Sequence, residues 1–209
     1  MEAAREAHES PSERAFDYDR TVALSDGVFS IALTLLVLTI SFPDLHGAGQ
    51  NQLSDALADR LPQLYSYALS FAVLAFLWVR HHSFFRNLGR IDSRIAGLNL
   101  VYLALIAFLP YPTRLLGEYG TQPISVVSYA VTIVLIGSVS SLVRIHASNA
   151  GLLRVPSTDT WMRHLAAPVV FLISIPLALL VSPSAAEYSW LILLVATPVR
   201  QLFRRFRAT

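Results

Sequence analysis

Two polar groups stand where a hydrophobic run should exclude them. The stretch Arg20–Ile40, RTVALSDGVFSIALTLLVLTI, is apolar enough to cross a bilayer, yet it opens on Arg20 and carries Ser25-Asp26-Gly27 about two turns in. An aspartate at the centre of a membrane helix costs about 2.5–3.5 kcal/mol on insertion scales, so it needs a partner or a wet cavity. Arg20 is poorly placed to be that partner. Six residues at about 100° each set the two side chains about 240° apart round the helix and about 9 Å apart along it. Asp26 therefore pairs with another helix or another subunit, unless it lies near enough to the interface to reach water.

Two other stretches offer partners at the same depth. In FLWVRHHSFF, Trp78, His81 and His82 share a helix face by their spacing of three and four. In RIDSRIAGLNL, Asn99 falls one to two turns into the next hydrophobic run. Ser25, Asp26, Trp78, His81, His82 and Asn99 can thus satisfy one another in a hydrogen-bond network, the least costly way to keep such groups in a membrane. Beside so many arginines, His81 and His82 also fit ordinary interfacial histidines; as partners of Asp26 they would be pH-sensitive.

Enzymatic readings find little footing. His146 and His164 stand near the same end, but no His-x-x-x-His or HExxH pair and no GxSxG elbow occurs, and Ser25 has no base but the neighbouring Asp26. With no cysteine there is no disulfide, thiolate metal site or cysteine nucleophile. No catalytic group, tightly bound metal or cofactor is expected.

The elements that position these groups follow from composition. The 209 residues are 54% hydrophobic and only 14% charged, with a mean hydropathy of +0.52, which marks an integral membrane protein. Spans need roughly 20 mainly apolar residues. Six stretches qualify, at about 20–42, 61–84, 95–116, 121–145, 162–182 and 187–204. The last is short, since only Tyr188–Val199 lacks charge, and it relies on Arg200 snorkelling. The expected fold is all-α with six transmembrane helices, a polar tail over 1–18 with Asp17 or Asp19 as first cap, and a membrane domain over 19–209. Pro110, Pro112, Pro168, Pro176 and Pro198 either kink their helices or are merely tolerated there.

Every basic residue is an arginine, and their placement predicts sidedness. Arg5, Arg14 and Arg20 precede the first span. Arg80, Arg86, Arg90 and Arg94 flank the second connection, Arg144, Arg154 and Arg163 the fourth, and Arg200, Arg204, Arg205 and Arg207 close the chain. Only Arg60 and Arg114 fall on the opposite side. Six spans with both termini cytoplasmic satisfy this pattern, in a multi-pass protein of the cell membrane. Arginines spread over helix ends are not a nucleic-acid patch, and no internal repeat supports an inverted-repeat transporter.

Round the first helix, with Asp26 at 0°, Ile31, Leu35 and Leu38 fall at about 140°, 180° and 120°, with Thr34 on their edge at about 80°. Asp26, Ser30, Leu33 and Val37 form another face, the one expected to pack. By periodicity alone, the aliphatic seam reads as lipid contact or core packing.

The residues Arg20, Leu24-Ser25-Asp26-Gly27-Val28-Phe29-Ser30-Ile31-Ala32 and Thr34-Leu35-Leu36-Val37-Leu38 resemble the opening of the transmembrane protein 175 family, the lysosomal potassium channel and its bacterial relatives. YSYALSFAVLAFLWVRHH (65–82) and LNLVYLALIAFLPYPTRLL (98–116) look like its second and third helices. The resemblance is good over about 18–116, and Leu24 departs from it where the family usually has Phe. It implies a homotetramer in the lipid bilayer with the first helix lining a central pore. Ile31, Leu35 and Leu38 would form a hydrophobic constriction, and Thr34 a hydroxyl layer linked to potassium preference, where the ion passes in transit. Arg20, Ser25 and Asp26 would be the signature motif, held by Trp78, His81 or His82, and Asn99. No TVGYG filter occurs, so potassium would be preferred over sodium only modestly. The alternative is a proton-coupled secondary transporter using Asp26 with His81 and His82; a non-conducting scaffold is a third reading.

Overall fold

The computed structural model describes residues 11–42, 50–155, 162–186 and 189–190. Among these it is built of helices: α1 (Pro11–Leu35), α2 (Gln50–Ala58), α3 (Leu61–Arg86), α4 (Ser93–Phe108), α5 (Pro110–Tyr119), α6 (Pro123–Asn149) and α7 (Met162–Leu180). A 3-10 turn, Leu36–Thr39, continues α1. Among the described residues, four stretches are long and apolar enough to cross a membrane: Tyr18–Thr39, Ser54–Arg86, Ser93–Tyr119 and Pro123–Asn149. In α7 the apolar part, Val169–Leu180, is shorter. The sixth expected span, 187–204, lies outside the described residues except for 189–190, as does the tail over 1–10.

The first helix begins at Pro11 instead of about residue 20. Proline suits the first helical position because its missing N–H is one that no helix partner would have used. Residues 12–19 contain no glycine or further proline to stop the helix, so it runs on beyond the apolar stretch. Asp17 and Asp19 therefore lie inside the helix and not at its start. The third expected span is two helices, broken at Leu109 where Pro110 supplies no amide to continue the ladder. By contrast α7 stays one helix through Pro168 and Pro176.

Successive spans alternate in direction, as bonds at both ends show. At one end Tyr18 Oη donates to the Phe85 carbonyl at 2.8 Å. There the turn after α3 also pairs with the turn after α6: Gly89 N donates to Leu152 O, and Arg154 N to Asn87 O, both at 2.8 Å. At the other end Ser41 N donates to Gln63 Oε1 at 2.8 Å. Arg20, Arg80, Arg86, Arg90, Arg94, Arg144 and Arg154 gather at the first end, and Arg60 and Arg114 at the second.

Lipid removes most of the hydrophobic drive between helices, so small residues and buried hydroxyls must supply the contact. Gly117 shows this: a Cβ there would lie 2.6 Å from Ser66 Oγ and 3.0 Å from Gln63 Cα, so only glycine lets α5 approach α3 so closely. Nearby, the hydroxyls of Thr113, Ser70 and Tyr129 stand in a row at 2.8 and 3.2 Å, all buried. Apolar contacts fill the rest, with Phe29, Leu36, Leu74, Ile106 and Trp190 in one core and Phe85, Leu88, Ile95 and Leu152 in a smaller one near the arginine-rich end.

Candidate functional site: the polar cluster at the arginine-rich end and the open face of α1

Ser25 is buried on α1, and its hydroxyl donates to the Thr21 carbonyl one turn back at 2.8 Å. That commitment orders everything beyond it. With its proton spent, Ser25 Oγ accepts from Asn99 Nδ2 at 3.1 Å. The Asn99 amide is thereby oriented, and its Oδ1 faces His81 Nε2 at 2.9 Å. His81 must then carry its proton on Nε2, because an amide oxygen only accepts. One helix carbonyl thus fixes the tautomer of a histidine two helices away.

Asp26, half-buried on the next position, accepts from Trp78 Nε1 at 2.9 Å. Its partner is on another helix. His82 takes a different role from His81: it stacks on Trp78 with ring centres 5.4 Å apart and steadies the donor. His81 is itself packed among aromatic rings, stacked on Phe85 and Tyr102 at 4.3 and 5.1 Å, with Phe29 at 5.6 Å. The structure thus brings Ser25, Asp26, Trp78, His81, His82 and Asn99 into one cluster joining α1, α3 and α4. Arg20 stands exposed, more than a turn before Ser25.

The aromatic surroundings of His81 are not part of the sequence reading, though a spacing rule reaches them: Phe29 follows Ser25 by four residues, Phe85 follows His81 by four and Tyr102 follows Asn99 by three. A second polar clasp at the same end also goes unanticipated. Asp92 caps α4, its Oδ1 accepting from Ile95 N at 2.8 Å, while Oδ2 meets His146 Nε2 at 2.6 Å on the last turn of α6. Burial would raise this carboxyl's pKa; the His146 bond, the Ile95 amide and nearby Arg90 outweigh it and hold it below the ordinary value.

The face of α1 that packs is only partly the one expected: Leu33 packs half-buried against the core, but the rest of that face does not. Ser25, Phe29, Ala32, Leu36 and Thr39 are buried, whereas Ser30 and Val37 are exposed and Asp26 sits at the edge. The packing face is rotated because Ser25, not Asp26, enters the bundle, drawn by Asn99. On the far side Ile31 is 60% exposed, Leu35 41% and Leu38 70%, with Thr34 open beside them. Thr34 Oγ1 donates to the Ile31 carbonyl at 2.8 Å. Its proton is thus engaged along the helix and its lone pairs remain for an outside donor or a cation.

Comparison with known proteins gives the family. Residues 20–110 match the family described as endosomal/lysosomal potassium channel TMEM175. A potassium channel of Streptomyces collinus is 43% identical over 100 residues, 48% of each chain. A potassium channel of Chamaesiphon minutus is 36% identical over 67% of this chain and 70% of its own length. The endosomal/lysosomal proton channel TMEM175 of Mus musculus is 26% identical, with 27% of its length matched. The chain thus spans about half the Streptomyces relative and about a quarter of the mouse one. The crystal structure of a lysosomal potassium-selective channel TMEM175 homolog from Chamaesiphon minutus superposes with a TM-score of 0.78 at 28% identity, covering 88% of this chain and 97% of that one. A crystal structure of a variant of the potassium channel MtTMEM175, bound to a nanobody–MBP fusion, shares the fold at a TM-score of 0.60 and 22% identity, over 90% and 93% of the two chains. With the Chamaesiphon channel matched over more than two thirds of its length and its fold reproduced, this multi-pass membrane protein belongs to the TMEM175 family of ion channels.

Proposed function

We propose that the chain is a potassium-permeable cation channel, assembled as a homotetramer with α1 lining the central pore. The observation that carries this reading is the division of α1 into two faces. One is fastened into its own bundle through Ser25, Phe29, Ala32 and Leu36, and the other leaves Ile31, Thr34, Leu35 and Leu38 open. Four such faces meeting on an axis make a narrow aliphatic constriction with one layer of hydroxyls. Conduction then requires the aliphatic rings to widen and wet. Potassium is favoured because it sheds water at lower cost than sodium and because Thr34 offers an oxygen, so the preference is modest.

In this reading Arg20, Ser25, Asp26, Trp78, His81, His82 and Asn99 anchor the pore helix and do not ligate ions. The two remaining spans, 162–182 and 187–204, complete six per chain, and the arginine-rich end of the bundle faces the cytoplasm with both termini. A proton-coupled carrier working through Asp26, His81 and His82 is less well supported. The chain from His81 through Asn99 and Ser25 ends on the Thr21 backbone carbonyl, and an amide passes no proton along it. Flux measurements separate the two: a channel passes current that follows the ion gradient, whereas a carrier shows saturable, pH-coupled uptake that Asp26→Asn abolishes.

A further inference from the structure

The last turn of α1 is not α-helical, and the reason lies on α3. In an α-helix Ser41 N would donate to the Val37 carbonyl, four residues back. Here Val37 O accepts instead from Ile40 N at 3.2 Å, a 3-10 pattern, and Ser41 N donates to Gln63 Oε1 at 2.8 Å. Gln63 is buried, and its backbone is fixed by the close approach of Gly117. Thr39 Oγ1 adds a bond to the Leu36 carbonyl at 2.7 Å. The burial pattern carries the threefold period: Leu36 and Thr39 are inside, Leu35 and Leu38 outside.

This matters for the open face. Over the three steps from Leu35 to Leu38 a 3-10 helix turns about 360° and an α-helix about 300°. The 3-10 turn therefore stacks Leu38 over Leu35, and a return to α would swing Leu38 about 60° away. We infer that Gln63 is a positioning residue of the pore: by capturing the Ser41 amide it holds the end of α1 in 3-10 form and aligns Leu38 with Leu35. The inference rests on the channel reading above and adds the group that sets the constriction's geometry.

The chain has no cysteine, so Leu38→Cys gives a single thiol whose oxidative cross-linking between copies reports its nearness to the axis. The test reconstitutes that protein in liposomes and follows cross-linking and potassium flux together. Gln63→Ala should slow cross-linking and change flux by about two- to tenfold, the effect of losing one hydrogen bond. Gln63→Glu, which keeps an acceptor, should restore both. Ser41→Pro removes the amide that the α form requires, and Ile40 already has the extended backbone favoured before proline (φ −90°, ψ 113°). Alone it should leave cross-linking as in the parent, and with Gln63→Ala it should restore the parent behaviour, which a general loss of packing would not allow. Unchanged cross-linking in Gln63→Ala, or failure of Ser41→Pro to restore it, overturns the inference while flux through the parent leaves the channel reading standing. Absence of cross-linking and flux in every background, the parent included, overturns both.

Discussion

Asp26 and Asn99 do different work although both are polar groups in a membrane helix. Asp26 accepts from Trp78 at the edge of the bundle. A hydrogen bond to a charged group contributes about 1.5–3 kcal/mol, less where water competes. Trp78→Phe and Asp26→Asn should therefore each lower the melting temperature in detergent, and a double-mutant cycle should return a coupling of about 1 kcal/mol; strictly additive losses would mean the bond contributes nothing. Asn99 bridges the buried Ser25 hydroxyl and the part-buried His81 ring. Asn99→Leu leaves His81 Nε2 without its acceptor and takes the Asn99 donor from Ser25 Oγ, which keeps its own bond to Thr21, and should cost about 1–3 kcal/mol, more than either substitution at the edge. A melting temperature within a degree or two of the parent would contradict the assigned chain of bonds. Much of this cluster was legible beforehand, because a hydrophobic background makes each polar residue conspicuous and depth along a span is countable. Which histidine bonds was not, since His81 and His82 are chemically equal until the Ser25 proton is traced.

Among the elements, α4 and α6 are tied at the arginine-rich end by Asp92 and His146. The carboxyl's pKa is held down, so its contribution is fully present above the ordinary aspartate value of about 3.9 and is lost as pH falls through the lowered one. Thermal melts across a pH series should show that acid limb, and Asp92→Asn should flatten it while keeping the helix cap. Asp92→Ala should lose the cap as well, about 0.5–2 kcal/mol more. At the opposite end Gly117→Ala places a methyl group against the backbone of Gln63 and should destabilise by about 1–3 kcal/mol; a neutral result would mean α3 and α5 can separate freely. The hydrophobic runs and Pro110 made the helices of the four long spans readable. The start of α1 was not, because a helix that outruns its apolar stretch leaves no hydropathy signal. The Gly117 contact and the Gln63 bond were hidden too, since each depends on a neighbour far along the chain.

For the whole molecule, α1 is an anchor and, in the proposed channel, also a wall. Its anchored face is rotated from the one periodicity suggested, because Ser25 rather than the costlier Asp26 is the residue taken inside. The open seam of Ile31, Thr34, Leu35 and Leu38 was visible as a stripe, but a stripe cannot distinguish lipid from the axis proposed above. If Thr34 lines the ion path, Thr34→Ala should lower potassium-over-sodium preference without abolishing flux. An unchanged reversal potential in mixed salts would put Thr34 off that path. The most direct test is potassium flux into liposomes holding the purified protein, with and without Ile31→Asn to wet the constriction. Flux is expected through the parent and greater flux through the variant; no potassium flux through either protein would contradict the proposed channel.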